Sequence, residues 1–463
     1  MSESGVADTR TVQSAMWKIP TADRLRGQST VRYVGRVVRA VGTAIRVSGL
    51  PVHIGQQCEV YERSSGARVL ANVVGIEQGE AILVPLGGLV GVAVDSEVRV
   101  VADGANVPVS EALHGRVLDG FGLPLDKGGD LPRSSRIMPL QADAPNPLER
   151  SPINTSLPTG IKVIDTLLTV GVGQRLGVYA PAGVGKSTFL GMLAAHAKVD
   201  VVVMGLIGER GREVREFLED TLTPEIRARS VVVVATSDRS SMERISAANT
   251  ATAIAEGFRA DGKQVLLLID SVTRYARAVR ETGLAVGEPP VRQGFTPSVF
   301  ADLPKLFERC GATDAGSITA FYTLLLEEDG VFDVISEESR SLLDGHIVLS
   351  RQLAESGHFP AVDVLASLSR LYGKLASEPQ QAVSQRVRKL LSKHRDVEFL
   401  LQVGEYQAGS DKIADEAIAK KDAIDKFLKQ SLDEVVDPEQ ALSQLTAVLQ
   451  ARPLVRKKVA AAK

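Results

Sequence analysis

RLGVYAPAGVGKSTFLGML, residues 175–193, decides the fold of this 463-residue chain. An apolar run is followed by a glycine-rich turn that ends in Lys186 and Ser187, and then by a segment with the character of a helix. Strand, glycine-rich turn and helix in that order form a phosphate-binding loop, in which backbone N–H groups point together at an anion. The usual pattern begins with glycine where this chain has Ala180. Alanine fits at the end of a strand if its φ stays negative, so its methyl group does not exclude a phosphate-binding loop.

The residues of the loop have separate expected tasks. Gly183 and Gly185 lack a Cβ and supply the turns that bring the backbone close to the phosphates. Lys186 is expected to reach the β- and γ-phosphates, Ser187 to ligate Mg²⁺, and Thr188 to begin the helix whose N-terminus faces the anion. The predicted nucleotide-binding residues of the loop are Ala182, Gly183, Val184, Gly185, Lys186, Ser187 and Thr188.

Two acidic residues follow apolar runs further along the chain. QVLLLID ends in Asp270, which is predicted to hold Mg²⁺, although an acid in this position is also common as a helix cap. The segment GERGREV, residues 208–214, places Glu209 after a strand expected to neighbour the phosphate loop. There Glu209 is the candidate catalytic carboxylate that polarises a water, and Arg210 either neutralises phosphate charge or holds Glu209. The alternative for this segment is an exposed, charged helix start.

The bulk composition excludes several classes of protein. The formal net charge is −2 and 44% of the residues are hydrophobic, so the chain is predicted to be globular, without the basic excess of a nucleic-acid-coating protein. Its two cysteines, Cys58 and Cys310, are expected to be free thiols in a reducing compartment. No apolar window approaches the length of a spanning helix. We therefore expect a cytoplasmic protein, with peripheral membrane contact left open.

The pattern of apolar residues predicts an α/β fold in four parts. Residues 1–30 form an N-terminal segment, Val-rich short strands over 31–103 predict a small β-barrel, and alternating strands and helices over 104–375 predict a parallel sheet around the phosphate loop. The first stretch of this core, which includes GRVLDGFGLPLDKGGDLP, is interpreted as a glycine- and proline-rich connection. Helical periodicity then predicts a helical domain over 376–463, with a frayed basic tail, RPLVRKKVAAAK.

Several blocks, in order, resemble the hexameric ATPases related to the rotary ATP synthase. They are PLERSPINTSLPTGIKVIDTLLTVGVGQRLGVYAPAGVGKST, GLIGERGREVREF, VVVVATSDRSSMERISAANTATAIAEGFR and LLLIDSVTRYARAVRETGLAVGEPP. Within that group the chain is most similar to the type III secretion ATPases, through GEPPVRQGFTPSVFADLPKLFERCG, LLDGHIVLSRQLAESGHFPAVDVLASLSRL and GEYQAGSDKIADEAI. The resemblance covers about residues 31–450. It implies a P-loop core of the RecA-like kind between an N-terminal β-barrel and a C-terminal helical domain.

The resemblance also implies roles for individual residues. Lys186 and Ser187 become phosphate and Mg²⁺ contacts, Glu209 the catalytic carboxylate and Asp270 the second Mg²⁺ residue, with ATP as the nucleotide. Arg210 becomes a support close to the phosphates.

Two further residues are identified only through the family. Arg370, in VLASLSRL, matches the arginine finger that reaches into the site of the neighbouring subunit. Phe359, in GHFPAVDV, falls where relatives often carry a tyrosine against the adenine ring; phenylalanine still stacks but lacks the hydroxyl.

The resemblance implies a homohexameric ring at the cytoplasmic face of an inner-membrane export apparatus. Its expected partners are central stalk and stator proteins and the chaperone–substrate complexes, from which it would release the chaperone and unfold the substrate.

The nearest alternative is a flagellar export ATPase, because the two branches share their chemistry; GEYQAGSD favours the injectisome branch. A non-catalytic ring subunit is a second alternative, against which Glu209 and Arg370 both argue. A ring translocase on RNA is a third, but the barrel segment carries few aromatic residues on which bases would stack.

Overall fold

The computed structural model describes residues 33–132, 134, 136–327 and 333–451. The predicted N-terminal segment and the basic tail lie outside these residues. The chain first forms a closed six-stranded barrel in the order β1-β2-β5-β4-β3-β6. Its strands are β1 (Gly35–Val41), β2 (Ala44–Ser48), β3 (Gln57–Tyr61), β4 (Arg68–Glu77), β5 (Glu80–Pro85) and β6 (Glu97–Ala102). Alternate residues point inward, as period-two patterning requires, so the expected N-terminal barrel is confirmed.

A two-stranded sheet and a nine-stranded, largely parallel sheet follow the barrel. β7 (Asn106–Val109) pairs with β9 (Arg136–Pro139) in the small sheet. The large sheet has the order β17-β16-β10-β15-β13-β11-β12-β8. Outside this order, β14 pairs antiparallel with β15. Its strands are β8 (Val117–Asp119), β10 (Arg175–Ala180), β11 (Val201–Ile207), β12 (Ser230–Ala235), β13 (Gln264–Asp270), β14 (Gly311–Ala312), β15 (Ser317–Leu325), β16 (Gly345–Val348) and β17 (Leu368–Ser369).

Helices cover both faces of the large sheet, as its almost uninterrupted apolar strands require. In chain order they are α1 (Lys162–Leu167), α2 (Lys186–His196), α3 (Gly211–Glu216), α4 (Pro224–Arg227), α5 (Ser241–Ala260), α6 (Val272–Ala285), α7 (Pro297–Glu308), α8 (Val334–Leu342), α9 (Arg351–Glu355), α10 (Tyr372–Leu375), α11 (Glu378–Gln402), α12 (Lys412–Leu428) and α13 (Pro438–Gln450). One core joins the sheet to α5, α6, α7 and α8, and the other joins it to α1, α2 and the three C-terminal helices. The expected α/β core and helical C-terminal domain are confirmed.

The sequence interpretation was wrong about the start of the core. Residues 117–119 fall in the stretch expected to be a connection, but they form β8, an edge strand parallel to β12. Val232 pairs with Val117 and Val234 with Asp119. Three residues among glycines and prolines carry too little periodicity to show a strand, and only the exposed edge of β12 gives them a partner.

Both cysteines are buried and free, as expected. Burial raises the pKa of the Cys58 thiol and that of the Cys310 thiol to about 11. Neither thiol is therefore disposed to react at neutral pH. Among the described residues, none of the helices has both the length and the apolar character needed to cross a membrane.

Candidate nucleotide-binding site

The phosphate loop joins β10 to α2 at the carboxyl edge of the parallel sheet. Ala180 ends β10 and pairs with Leu325 in extended backbone, so its methyl group is accommodated as expected. Gly183 and Gly185 have φ of 81° and 86°, the left-handed region that favours glycine. Helix α2 begins at Lys186, two residues earlier than the predicted start at Thr188. The N–H groups in the first turn of a helix have no intrahelical partner, and such groups stabilise an anion.

Lys186 lies between two carboxylates. Its ammonium Nζ is 3.3 Å from Oε1 of Glu209 and contacts Oδ1 of Asp270 more closely. Burial opposes the charged form of this lysine, but the carboxylates of Asp270 and Glu209 outweigh it and raise the pKa of Lys186. The lysine therefore carries its positive charge at the position where the loop approaches the two acids.

Asp270 is the last residue of β13 and is buried. Its Oδ1 also accepts a hydrogen bond of 2.6 Å from the Thr323 hydroxyl, on the adjacent strand β15. Sequence reasoning missed Thr323, because a threonine inside a strand carries no signal of a site until its neighbour across the sheet is known. The hydroxyl fixes the orientation of the carboxylate toward the phosphate loop.

Glu209 follows β11, which does not neighbour β10 as the sequence suggested. Strands β15 and β13 lie between them, because chain order does not give the order of strands in a sheet. The acid still reaches Lys186, since the carboxyl ends of the parallel strands lie on one edge of the sheet. Burial raises the pKa of Glu209, and the Asp270 carboxylate adds to this rise. The charges of Lys186 and Arg274 act in the opposite direction and lower the pKa of Glu209. A general base gains from such a rise, because its pKa moves toward neutral pH.

Arg274 completes this cluster and was not identified from the sequence. It lies in the first turn of α6, and its Nε is 3.5 Å from Oε1 of Glu209. The preceding Gly208, at φ 70°, leaves room for the arginine: a Cβ there would lie 2.6 Å from Cδ of Arg274. The DSVTRYAR block contained the signal, since Arg274 lies in the first turn of the helix that follows Asp270 and so stays at the same edge of the sheet.

We expect Arg274→Gln to move the acid limb of the pH–rate profile to higher pH. The guanidinium lowers the pKa of Glu209, so its loss raises that pKa, and the reactive carboxylate form then disappears at a higher pH. We also expect kcat to fall on the order of tenfold, because Glu209 loses an orienting ion pair. The measurement is kcat against pH, with Arg277→Gln, an exposed arginine on the same helix, as the control. An unmoved acid limb would contradict this assignment.

Arg210 does not hold Glu209 in this structure. Its Nη1 lies 2.9 Å from Oε1 of Glu213, and three quarters of its side chain is exposed. Arg274 occupies the position beside Glu209 that was expected for Arg210. Sequence adjacency alone did not show that Arg274, and not Arg210, pairs with Glu209; the other expected role of Arg210, neutralising phosphate charge, stays a prediction.

Phe359 lies beside the phosphate loop. Its ring carbon Cε1 is 3.3 Å from the position of a Cβ on Gly185. It lines a cavity of about 300 Å³ with apolar side chains of α2 and with the segment that joins α12 to α13. The lining includes Gly185, Thr188, Phe189, Met192, Phe359, Pro360, Gln430, Ser431 and Leu432. An aromatic ring at the wall of a largely apolar cavity suits a nucleobase.

Arg370 lies at the opposite end of the sheet. It follows β17, and its backbone N–H donates to the carbonyl of Asp344, whose own N–H donates to the carbonyl of Arg175 at the start of β10. The phosphate loop begins only after Ala180, about 16 Å further along β10 at ~3.3 Å per residue. The structure therefore does not bring Arg370 to the Lys186 of its own subunit.

The oxygen groups at the sheet edge fit Mg²⁺ with a phosphate. They are the exposed Ser187 hydroxyl and the Asp270 carboxylate, both hard oxygen ligands. Within the described part of the chain, no group of three or more His, Cys, Asp or Glu side chains forms a metal cage. Mg²⁺ commonly binds through one or two protein oxygens together with phosphate oxygens, and this arrangement suits that mode.

Two family models match the chain. Residues 160–369 match the nucleotide-binding domain of the ATP synthase alpha/beta family. Residues 376–447 match the C-terminal domain of the type III secretion ATPase EscN.

Curated relatives are similar over almost the whole length of the chain. A type 3 secretion system ATPase of Xanthomonas euvesicatoria is 51% identical, across 90% of this chain and 94% of the relative. A flagellum-specific ATP synthase of Treponema pallidum is 46% identical, across 93% and 96%.

Solved structures give the same similarity in three dimensions. The assembled ATPase EscN from the type III secretion system of enteropathogenic E. coli superposes with a TM-score of 0.85 at 44% identity, across 90% of this chain and 100% of the other. EscN in complex with its central stalk EscO gives 0.82 at 43% identity, with the same coverage.

Proposed function

This chain belongs to the family of type 3 secretion system ATPases, and we propose that it works as a ring of six identical subunits that hydrolyse ATP to drive protein export. The chain is an ATPase of type III secretion by that membership. The ring, its bound Mg²⁺, the roles of single residues and the partners are our proposals.

The separation of Arg370 from Lys186 within one subunit is the main observation that supports the proposed ring. One subunit presents a phosphate loop at one end of the sheet and a finger arginine at the other. A contact that joins two different surfaces repeats head to tail, and it closes into a ring when the rotation between subunits permits. Each site is then completed by the neighbour, so one type of chain supplies both halves.

Hydrolysis follows from the cluster around Lys186. The loop N–H groups and Lys186 hold the phosphates, and Glu209, oriented by Arg274, accepts a proton from the attacking water. Ser187 and Asp270 would hold Mg²⁺, which would supply charge neutralisation on the phosphates. Arg370 of the neighbour neutralises the charge that develops in the transition state.

The base of ATP is assigned to the Phe359 cavity. The ring of Phe359 stacks on adenine, and the segment between α12 and α13 forms the facing wall. Gln430 fixes this segment to the core: its backbone N–H donates to the Phe359 carbonyl, and its Oε1 accepts from the Lys162 N–H at 2.8 Å. Base binding is thereby connected to the C-terminal helices.

The proposed partners follow from the family. One solved relative is described with a central stalk protein, and we extend a stalk, stator proteins and chaperone–substrate complexes to this chain. The ring works at the cytoplasmic face of the inner-membrane export apparatus, where it dissociates chaperones and unfolds substrates. The match of residues 376–447 to the EscN C-terminal domain supports the injectisome branch, while the flagellar relatives make flagellar export the second candidate.

Secretion by the bacterium that carries this chain tests the function. We expect deletion to stop the release of type III effector proteins and to leave swimming intact. A chain with Lys186→Ala, which loses the phosphate contact, is expected not to restore release; Lys198→Ala, at an exposed lysine, is expected to restore it fully. Loss of swimming with normal effector release would instead assign the chain to flagellar export.

A further inference from the structure

Arg370 directly follows β17, a short strand at the edge of the sheet. β17 has two residues, and it is an edge strand whose single neighbour is β16. Such a strand contributes only two residue pairs to the sheet, Gly345 with Ser369 and His346 with Leu368. The position of the finger therefore depends on contacts beyond the strand itself.

Asp344 holds the backbone of Arg370, whose guanidinium Nη2 donates separately to the Arg340 carbonyl at 3.1 Å. The Asp344 carbonyl accepts the Arg370 N–H at 3.0 Å. Its carboxylate is held by Arg175 through three hydrogen bonds: the backbone N–H to Oδ2 at 3.1 Å, Nε to Oδ2 at 3.0 Å, and Nη2 to Oδ1 at 3.2 Å. Only 14% of the Arg175 side chain and 27% of the Asp344 side chain are exposed. A two-pronged arginine–carboxylate pair of this kind fixes geometry as well as charge.

Three neighbouring groups hold the same turn in place. Gln174 Nε2 donates to the Asp344 carbonyl and to the Ser369 hydroxyl, each at 3.1 Å. The Ser369 hydroxyl in turn donates to the Thr169 carbonyl at 2.9 Å. Gly345 lets the strands approach closely, since a Cβ there would lie 2.5 Å from the Leu368 carbonyl oxygen.

We propose that Asp344 and Arg175 are positioning residues for the arginine finger, so that they act on hydrolysis in the neighbouring subunit and not in their own. This inference rests on the shared site of the proposed function. Arg175 opens β10, the strand that ends at the phosphate loop, and Asp344 opens the turn into β16 beside it. One strand therefore carries a subunit's own phosphate loop at one end and the support of its finger at the other.

We expect Asp344→Asn to lower kcat on the order of 100-fold, since a displacement of about 1 Å of a group that acts on the transition state costs this much. Affinity for ATP in the subunit's own site is expected to stay unchanged. Arg175→Lys keeps the charge but loses the fork, and we expect a smaller fall, on the order of tenfold. Asp126→Asn is the matched control: it breaks another half-buried Arg–Asp pair, with Arg116, at the far edge of the sheet, and should leave kcat unchanged.

Mixed rings separate positioning from a general loss of stability. Full-length Asp344→Asn subunits are mixed with Lys186→Ala subunits, and hydrolysis is followed in a single turnover. The first variant keeps its phosphate loop and the second keeps its finger, so about a quarter of the sites in a random head-to-tail ring regain both halves. We expect each variant alone to be inactive or nearly so, and the mixture to recover activity on that scale. A folding defect in the Asp344→Asn subunit would not be repaired by its neighbour.

The same mixing experiment with Arg370→Ala in place of Asp344→Asn distinguishes a failure of the positioning role from a failure of the shared site. Recovery with Arg370→Ala and none with Asp344→Asn would overturn the positioning role and leave the shared site standing. Recovery with neither would overturn the shared site itself. Full activity of Asp344→Asn alone would also contradict the inference.

Discussion

Arg370→Ala is expected to abolish ATP turnover while leaving ATP binding intact. Arginine fingers are worth roughly three to five orders of magnitude in rate, about 4 to 7 kcal/mol of transition-state stabilisation. The structure places Arg370 at the amino end of β10 and the phosphate loop after its carboxyl end, so in the proposed ring the loss would lower hydrolysis in the neighbouring site. The measurement is kcat under saturating ATP together with nucleotide affinity and ring assembly.

Arg395→Ala is the control for this prediction. Arg395 is an exposed arginine of α11 that pairs with Asp363, and its removal should leave kcat close to the wild-type value. A retained kcat in the Arg370→Ala ring would show that the finger is another residue. A loss of assembly in that variant would instead show that Arg370 acts on the subunit contact.

Glu209→Gln is expected to lower kcat by about 10²- to 10⁴-fold, the range for removal of a general base. The amide keeps the shape of the side chain but cannot accept a proton. ATP affinity should change little, because in the proposed site Lys186 and the loop backbone, and not Glu209, make the phosphate contacts. The measurement is kcat and ATP affinity, with Glu219→Gln, an exposed glutamate on the same segment, as the control.

The pKa of Glu209 also sets an expected dependence of kcat on pH. Burial raises the pKa of Glu209, and hydrolysis requires its carboxylate form, so wild-type kcat should fall as pH drops through that raised pKa. The residual rate of Glu209→Gln should lack this acid limb. An acid limb of the same position in the variant would assign the titration to another group.

The sequence predicted those features that depend on local pattern. The phosphate loop, the apolar strand that ends in Asp270 and the C-terminal helices are each contained in one short stretch with a clear period or spacing. Their positions in the structure agree with the expectation, apart from the start of α2. The family resemblance added Arg370 and Phe359, which local pattern alone does not distinguish from other residues of their kind.

The rest depends on contacts between distant parts of the chain. Thr323 and Arg274 reach Asp270 and Glu209 only because of the order of strands in the sheet and the turn at Gly208. The pairing of Arg210 with Glu213, and the three residues of β8 on the exposed edge of β12, follow from the same long-range geometry. A single sequence does not state which strands are neighbours, so these residues appear only with the fold.

The claim that each site is completed by a neighbouring subunit is tested most directly by ATP hydrolysis per subunit of the wild-type chain across a range of protein concentrations. We expect specific activity to rise steeply over the range in which subunits assemble and then to level off, because separated subunits hold Lys186 and Arg370 at opposite ends of the sheet. Constant specific activity down to concentrations at which sedimentation shows only single subunits would contradict it.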